Sequence, residues 1–122
     1  MRALCALVVL LGFPAFATAQ VDKQLADRHA LINELYEAER YAELIREIDI
    51  QVNASVGTTF ADSLHRYLYN YGRAHRKLKD AGASVEAAER IYQLVKARGK
   101  AANELEALFD LSWIYYDVGE MV

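Results

Sequence analysis

Cysteine is almost absent. The single one, Cys5, lies in an N-terminal segment read below as a leader, so no disulfide and no thiol chemistry is expected in the rest of the chain. Stability must then come from apolar packing, even in a compartment where disulfides are permitted. Proline occurs once and glycine six times in 122 residues. That scarcity leaves long uninterrupted stretches, which favours helices. No segment alternates apolar and polar residues long enough to argue for a strand. Charge is nearly balanced, with 14 Lys and Arg against 17 Asp and Glu, and gives no reason to expect nucleic acid. Hydrophobic content of 54% with 25% charged residues fits one foldable domain rather than a disordered chain.

Catalytic signatures are also missing. His29, His65 and His75 have no H-E-x-x-H or comparable ligand spacing. His65 with Asp62 on one turn reads as a surface pair. No serine or cysteine sits in a nucleophile elbow, and no glycine-rich loop is present to cradle a phosphate. No enzyme activity, metal or cofactor is expected. "NAS" at 53–55 is a glycosylation sequon, meaningful only in a eukaryotic source.

What is present begins with "MRALCALVVLLGFPAFATAQ". Arg2 supplies a positive start, residues 3–13 an apolar run, and Pro14 a break. Ala17 and Ala19 stand where a signal peptidase reads small residues, so 1–19 is expected to be a signal peptide cleaved after Ala19. The run is shorter than the roughly 20 apolar residues of a membrane span. The mature chain, 20–122, is expected to be exported to a periplasm or secreted, with no membrane attachment after cleavage.

Five helices follow from the apolar spacing. The first covers about 22–38, with Leu25, Leu31, Ile32 and Leu35. The second covers about 41–53, with Tyr41, Leu44, Ile45, Ile48 and Val52. A loop at 53–59 contains Gly57. The third runs about 60–79 with Thr59 as N-cap and a stripe of Phe60, Leu64, Leu68, Tyr71, His75 and Leu78. "DAGAS" at 80–84 reads as a turn, with Ser84 capping a fourth helix that carries Val85, Ala88, Ile91, Tyr92 and Val95 and stops at Gly99. The fifth starts near Asn103, paired with Glu106 as a capping box, and carries Leu105, Leu108, Leu111, Ile114, Tyr115 and Val118.

The helices repeat. Ile32, Gly72 and Ser112 are spaced by 40 residues; Leu31, Tyr71 and Leu111 precede them, and Leu35, His75 and Tyr115 follow by three. "LSWIYYDVG" at Leu111, Ser112, Tyr115 and Gly119 resembles the first helix of the tetratricopeptide repeat. "YGRAH" is similar at Tyr71 and Gly72, with His75 where an aromatic is usual, and Ala88 and Tyr92 resemble the family's second helix. The first repeat departs most, with Ile32 in the small position and Glu39 in place of the turn glycine. The 40-residue spacing also exceeds the usual 34.

The resemblance implies an all-α fold of antiparallel helix hairpins stacked as a short solenoid over 20–122, here two hairpins and one further helix. The alternative is an unrelated five-helix bundle. Because "FDLSWIYY" is apolar on more than one face, the last helix expects further neighbours. The expectation is that the chain is the N-terminal piece of a longer array, or of a larger exported signalling or peptidase protein.

The family binds extended peptides in a groove lined by its first helices. The positions carried over are His29, Asn33, Tyr36 and Glu37; then Arg66, Tyr69, Arg73, Arg76 and Lys77; then Glu106, Phe109, Trp113, Tyr116 and Asp117. The second set also shares one helical face by spacing alone. Its cations either bind a carboxylate or acidic peptide or pair with nearby acids as a solvated surface. Phe109, Trp113 and Tyr116 form a second aromatic face, which either anchors a partner, packs on a further helix or mediates self-association. Asn33 and Asn70 match the two asparagines of the carboxylate clamp known in some members. His29, Glu106 and Asp110 replace its cations, so that activity is not expected.

Overall fold

The computed structural model describes residues 20, 23–54 and 59–119. The expected signal peptide at 1–19, the loop around Gly57 and the side chains of Thr59 and Phe60 lie outside the described residues. The chain forms two units, 1–33 and 34–122. All regular structure among the described residues is helical.

Helix α1 spans 23–37 and crosses the division between the units. In the first unit Ile32 is fully buried, while Leu31 faces outward. In the second unit α1 ends at a tight turn. Glu39 adopts φ 58°, the left-handed conformation that usually selects glycine. Its N–H donates to the Tyr36 carbonyl at 3.1 Å and that of Arg40 to the Leu35 carbonyl at 2.9 Å. The sequence has glutamate where the repeat pattern calls for a turn glycine, and the backbone makes the glycine-like turn regardless.

Helix α2, Tyr41–Ala54, buries Leu44, Ile48 and Val52, as the spacing predicts. The expected third helix is two elements. Thr59–Tyr67 is a 3-10 helix, and α3 proper is Leu68–Leu78. With three residues per turn, Ala61, Leu64 and Tyr67 fall on one edge, and all three are buried. An α-helical reading of the same stretch could not detect this change of pitch. Leu78, placed on the core stripe by sequence, is half exposed at the C-terminal end of α3.

Helix α4 is Ala81–Ala97, so "DAGAS" is not a turn. Asp80 is extended and its carboxylate accepts the Ala83 N–H at 2.8 Å. Asp80, not Ser84, is the N-cap, and Gly82 and Ala83 belong to the first turn. Ser84 lies inside α4, buried and with its hydroxyl unpartnered. Gly99, at φ 71°, closes the far end as the sequence suggests.

Helix α5, Ala101–Gly119, begins two residues before the expected Asn103 cap. The Glu104 N–H already donates to the Lys100 carbonyl at 2.9 Å, and two strong helix formers, Ala101 and Ala102, fill the first turn. Asn103 instead donates to the Asp62 carbonyl at 3.1 Å. The Asp62 carboxylate accepts from Arg98 Nε at 2.9 Å and Lys100 Nζ at 2.8 Å. This knot ties the 3-10 segment to the α4–α5 turn. Asp62 is therefore no partner of His65. His65 is buried and faces Glu106, with Nε2 3.3 Å from its carboxylate.

Helix α3 packs against α2, α4 and α5. The two-residue link to α4 and the three-residue link from α4 to α5 make each neighbour run back along the last. Gly72 sits at the tightest point: a Cβ placed there would lie 2.8 Å from Ile114 Cδ1 and 3.4 Å from Ala88 Cβ. The core stripe of α5 is Ala107, Leu111 and Ile114. Leu105, Leu108 and Tyr115, expected on that stripe, are exposed. The reason is rotational. At 100° per residue, Leu105, Leu108 and Tyr115 lie to one side of the Ala107–Leu111–Ile114 line, along which α5 buries its apolar side chains. Tyr115 reaches α4 only through its hydroxyl, which donates to the Glu89 carboxylate at 2.5 Å.

Candidate functional site

The α5 surface to the other side of the same line carries the aromatic row. Phe109, Trp113 and Tyr116 recur at spacings of four and three, which stack them along one edge of the helix. Phe109 and Trp113 meet edge to face with ring centroids 6.3 Å apart, and Trp113 and Tyr116 do so at 5.7 Å. These offset perpendicular contacts are the favoured geometry for aromatic pairs. All three remain exposed, at 64%, 48% and 56%.

Tyr69 and Arg73 on α3 face this row. Tyr69, Phe109, Asp110 and Trp113 line an open hollow of about 340 Å³. Phe109 and Trp113 also line a second hollow, with Ser112 and Tyr116, of about 420 Å³. The two rings thus form a wall between two recesses. The guanidinium of Arg73 lies 5.9 Å from the centre of the Tyr69 ring, a cation–π distance. Arg73 also donates to the Asp117 carboxylate at 2.9 Å, which bridges α3 and α5. That bond holds the guanidinium above its ordinary pKa, and Tyr36 at the end of α1 adds to the effect.

The structure divides the cationic set. Arg73 spends its charge on Asp117, and Arg76 reaches the same carboxylate at 3.9 Å. Arg66 is exposed on the 3-10 segment rather than on α3, and Lys77 is exposed near the end of α3. Of the first set, Tyr36 and Glu37 lie in the second unit, and the Tyr36 ring meets Tyr41 edge to face at 6.3 Å. His29 and Asn33 fall in the first unit, His29 partly buried and Asn33 exposed.

Asp110 is the acidic member of the hollow. Burial, and then the neighbouring Glu106 carboxylate, raise its pKa above the ordinary aspartate value, while His65 acts the other way. Burial likewise raises the Tyr69 phenol. Sequence reasoning noted Asp110 only as a replaced clamp cation; that it lies half-buried between aromatic rings needed the α3–α5 crossing.

A second polar cluster lies where α2, α3 and α4 meet. The Tyr71 hydroxyl donates to the Asp49 carboxylate, and Arg90 stands 4.0 Å from the same group. Burial and this acceptor push the Tyr71 phenol far above its ordinary value. The His75 ring contacts Tyr71 edge-on at 4.7 Å, and burial lowers its pKa. No sequence motif flagged this cluster. Among the described residues, no group of three or more His, Cys, Asp or Glu is placed to hold a metal ion, and no helix is long and apolar enough to cross a membrane. Comparisons with protein families, with curated proteins and with solved structures find no match.

Proposed function

We propose that this chain is an exported helical-repeat module of the tetratricopeptide kind, which binds an extended peptide or protein partner without catalysing a reaction. The observation that carries the reading is the exposed, interlocked row of Phe109, Trp113 and Tyr116 set against Tyr69 and the Arg73–Asp117 bridge. Rigid aromatics with two or three walls around them are what interfaces use as anchors. Gly72 adds support. The repeat pattern asks for a small residue there, and α3 approaches Ile114 and Ala88 at that point. Under this reading α3–α4 is one hairpin of the stack, with α5 opening the next. The leader pattern around Arg2 and Ala19 supports export.

The test is selection of binders from a displayed library of random dodecapeptides. The expected binders lose about thirtyfold or more in affinity with Trp113→Ala, since anchors of this type contribute about 2 kcal/mol or more. Trp113→Ala also removes two edge-to-face ring contacts and half-buried surface, so the affinities are compared at a temperature where thermal melting shows both chains folded. Binders indifferent to Trp113→Ala, or none at all, reject the reading.

A second reading is favoured by Leu105 and Leu108, exposed apolar side chains of α5 outside the aromatic row. A further helix stacked there makes the module part of a larger exported signalling or peptidase protein. The intact mass of the native protein decides between them.

A further inference from the structure

The hollow between α3 and α5 has aromatic walls and one charged group. Tyr69, Phe109 and Trp113 supply the walls, and Asp110 supplies the charge. The electron-rich faces of such rings attract cations, Trp most strongly. Tyr69 already shows this preference, with the chain's own Arg73 guanidinium over its ring. Arg73 does not make the site cationic, because its charge is held by Asp117, which Arg76 also approaches. Glu106 adds a second carboxylate beside Asp110, facing His65 from the 3-10 segment. Around the hollow, the three carboxylates of Glu106, Asp110 and Asp117 stand against the two guanidiniums of Arg73 and Arg76. Asp110 is partly desolvated beside a like charge, and its carboxylate has no bonded cation among the described residues. A half-buried carboxylate in that state gains from a cationic hydrogen-bond donor.

We propose that this hollow seats a cationic side chain, arginine or lysine, of the bound peptide. Its head lies against Trp113 and Phe109 and donates to the Asp110 carboxylate. The proposal rests on the peptide-binding reading above and narrows it to basic peptides. The hollow's own lining, Tyr69, Phe109, Asp110 and Trp113, offers an acidic peptide no cation.

Trp113 is the only tryptophan, so its indole N–H gives a single resolved signal in a proton–nitrogen correlation spectrum. The probes are N-acetyl-arginine methylamide and its uncharged isostere, N-acetyl-citrulline methylamide. The arginine probe should shift the Trp113 signal saturably and the citrulline probe should not. Asp110→Asn should weaken the arginine probe about tenfold. Glu86→Gln, which removes an equal charge beside Tyr71 and His75, should leave it unchanged. Equal response to both probes, or indifference to Asp110→Asn, overturns the proposal. If library peptides depend on Trp113 yet carry no arginine or lysine and the arginine probe fails, the peptide face stands and the cation site falls. If the arginine probe binds but no Trp113-dependent peptide exists, the hollow's cation preference stands and the peptide reading fails.

Discussion

Gly72→Ala sets two known effects against each other at one atom. Alanine in a helix interior is favoured over glycine by about 0.8–1.0 kcal/mol. The added Cβ, however, meets Ile114 Cδ1 at 2.8 Å, Ile114 Cγ1 at 3.2 Å and Ala88 Cβ at 3.4 Å. Ile114 is 1% exposed, so its tip cannot swing out into solvent and must find room among its packed neighbours. Its χ1 is also fixed by β-branching in a helix. Moving Cγ1 away therefore requires α5 to shift relative to α3. Overpacking of this sort costs about 1–3 kcal/mol, and the two close contacts argue for the upper half of that range. The expected net loss is about 1–2 kcal/mol, or about 5–10 °C in Tm for a domain of this size.

The assay is urea unfolding of a double-mutant cycle with Ile114→Val. Alone, Ile114→Val removes the Cδ1 methyl and costs about 0.5–1.5 kcal/mol. In the Gly72→Ala background the vacated space accepts the new Cβ. The pair should then be less destabilised than the sum of the singles by about 1 kcal/mol. A Gly72→Ala chain more stable than the parent, or additive singles, refutes the close approach of α3 and α5.

Asp80→Ala should cost about 1 kcal/mol as loss of an N-cap, whereas Ser84→Ala should be neutral or slightly stabilising in the same denaturation assay, because it removes a buried, unpartnered hydroxyl. The reverse order would restore the turn at 80–84. Glu39→Gly should raise stability by about 1 kcal/mol, since it relieves a left-handed non-glycine residue; a loss in thermal melts would show that the Glu39 side chain holds the turn. The His75 pKa is lowered by burial, so its contribution is complete above the ordinary histidine value and is lost as pH falls through the lowered one. Unfolding curves at stepped pH below about 6.5 should therefore be flatter for His75→Phe than for the parent. The Asp62 pKa is lowered chiefly by the bonds from Arg98 and Lys100. Its contribution is present above the ordinary aspartate value and vanishes as pH falls through the depressed one, so Asp62→Asn should lose stability at neutral pH and show a shallower acid limb. An unchanged limb would mean that the knot does not act in solution.

Five helices and most of their buried faces were legible in the sequence, because helical periodicity is a local property. Leu44, Ile48 and Val52, or Ala88, Ile91 and Val95, repeat at the spacing that any single helix requires, whatever it packs against. Gly99 likewise announced a helix end by its own backbone freedom. The small residue at Gly72 and the aromatic row at Phe109, Trp113 and Tyr116 were readable as positions. Other features depended on partners distant in sequence. The pitch of Thr59–Tyr67 changes so that Ala61, Leu64 and Tyr67 share a buried edge. Asn103 was free to serve as a cap until the fold placed the Asp62 carbonyl within its reach. The sequence reading places the cap at Ser84, but Asp80 is an equally competent cap by residue type; the helix is capped at Asp80 and Ser84 is buried inside it.

The candidate site divides along the same line. Residue types and spacing determined that α5 carries aromatics beyond its core stripe and that α3 carries cations. Only the crossing of α3 and α5 decided that Arg73 is neutralised by Asp117 and that Asp110 lies between Tyr69, Phe109 and Trp113. Charge and desolvation act through space, over distances that sequence separation does not encode. A chain can therefore fix its helices locally while the chemistry between them is set by how they pack.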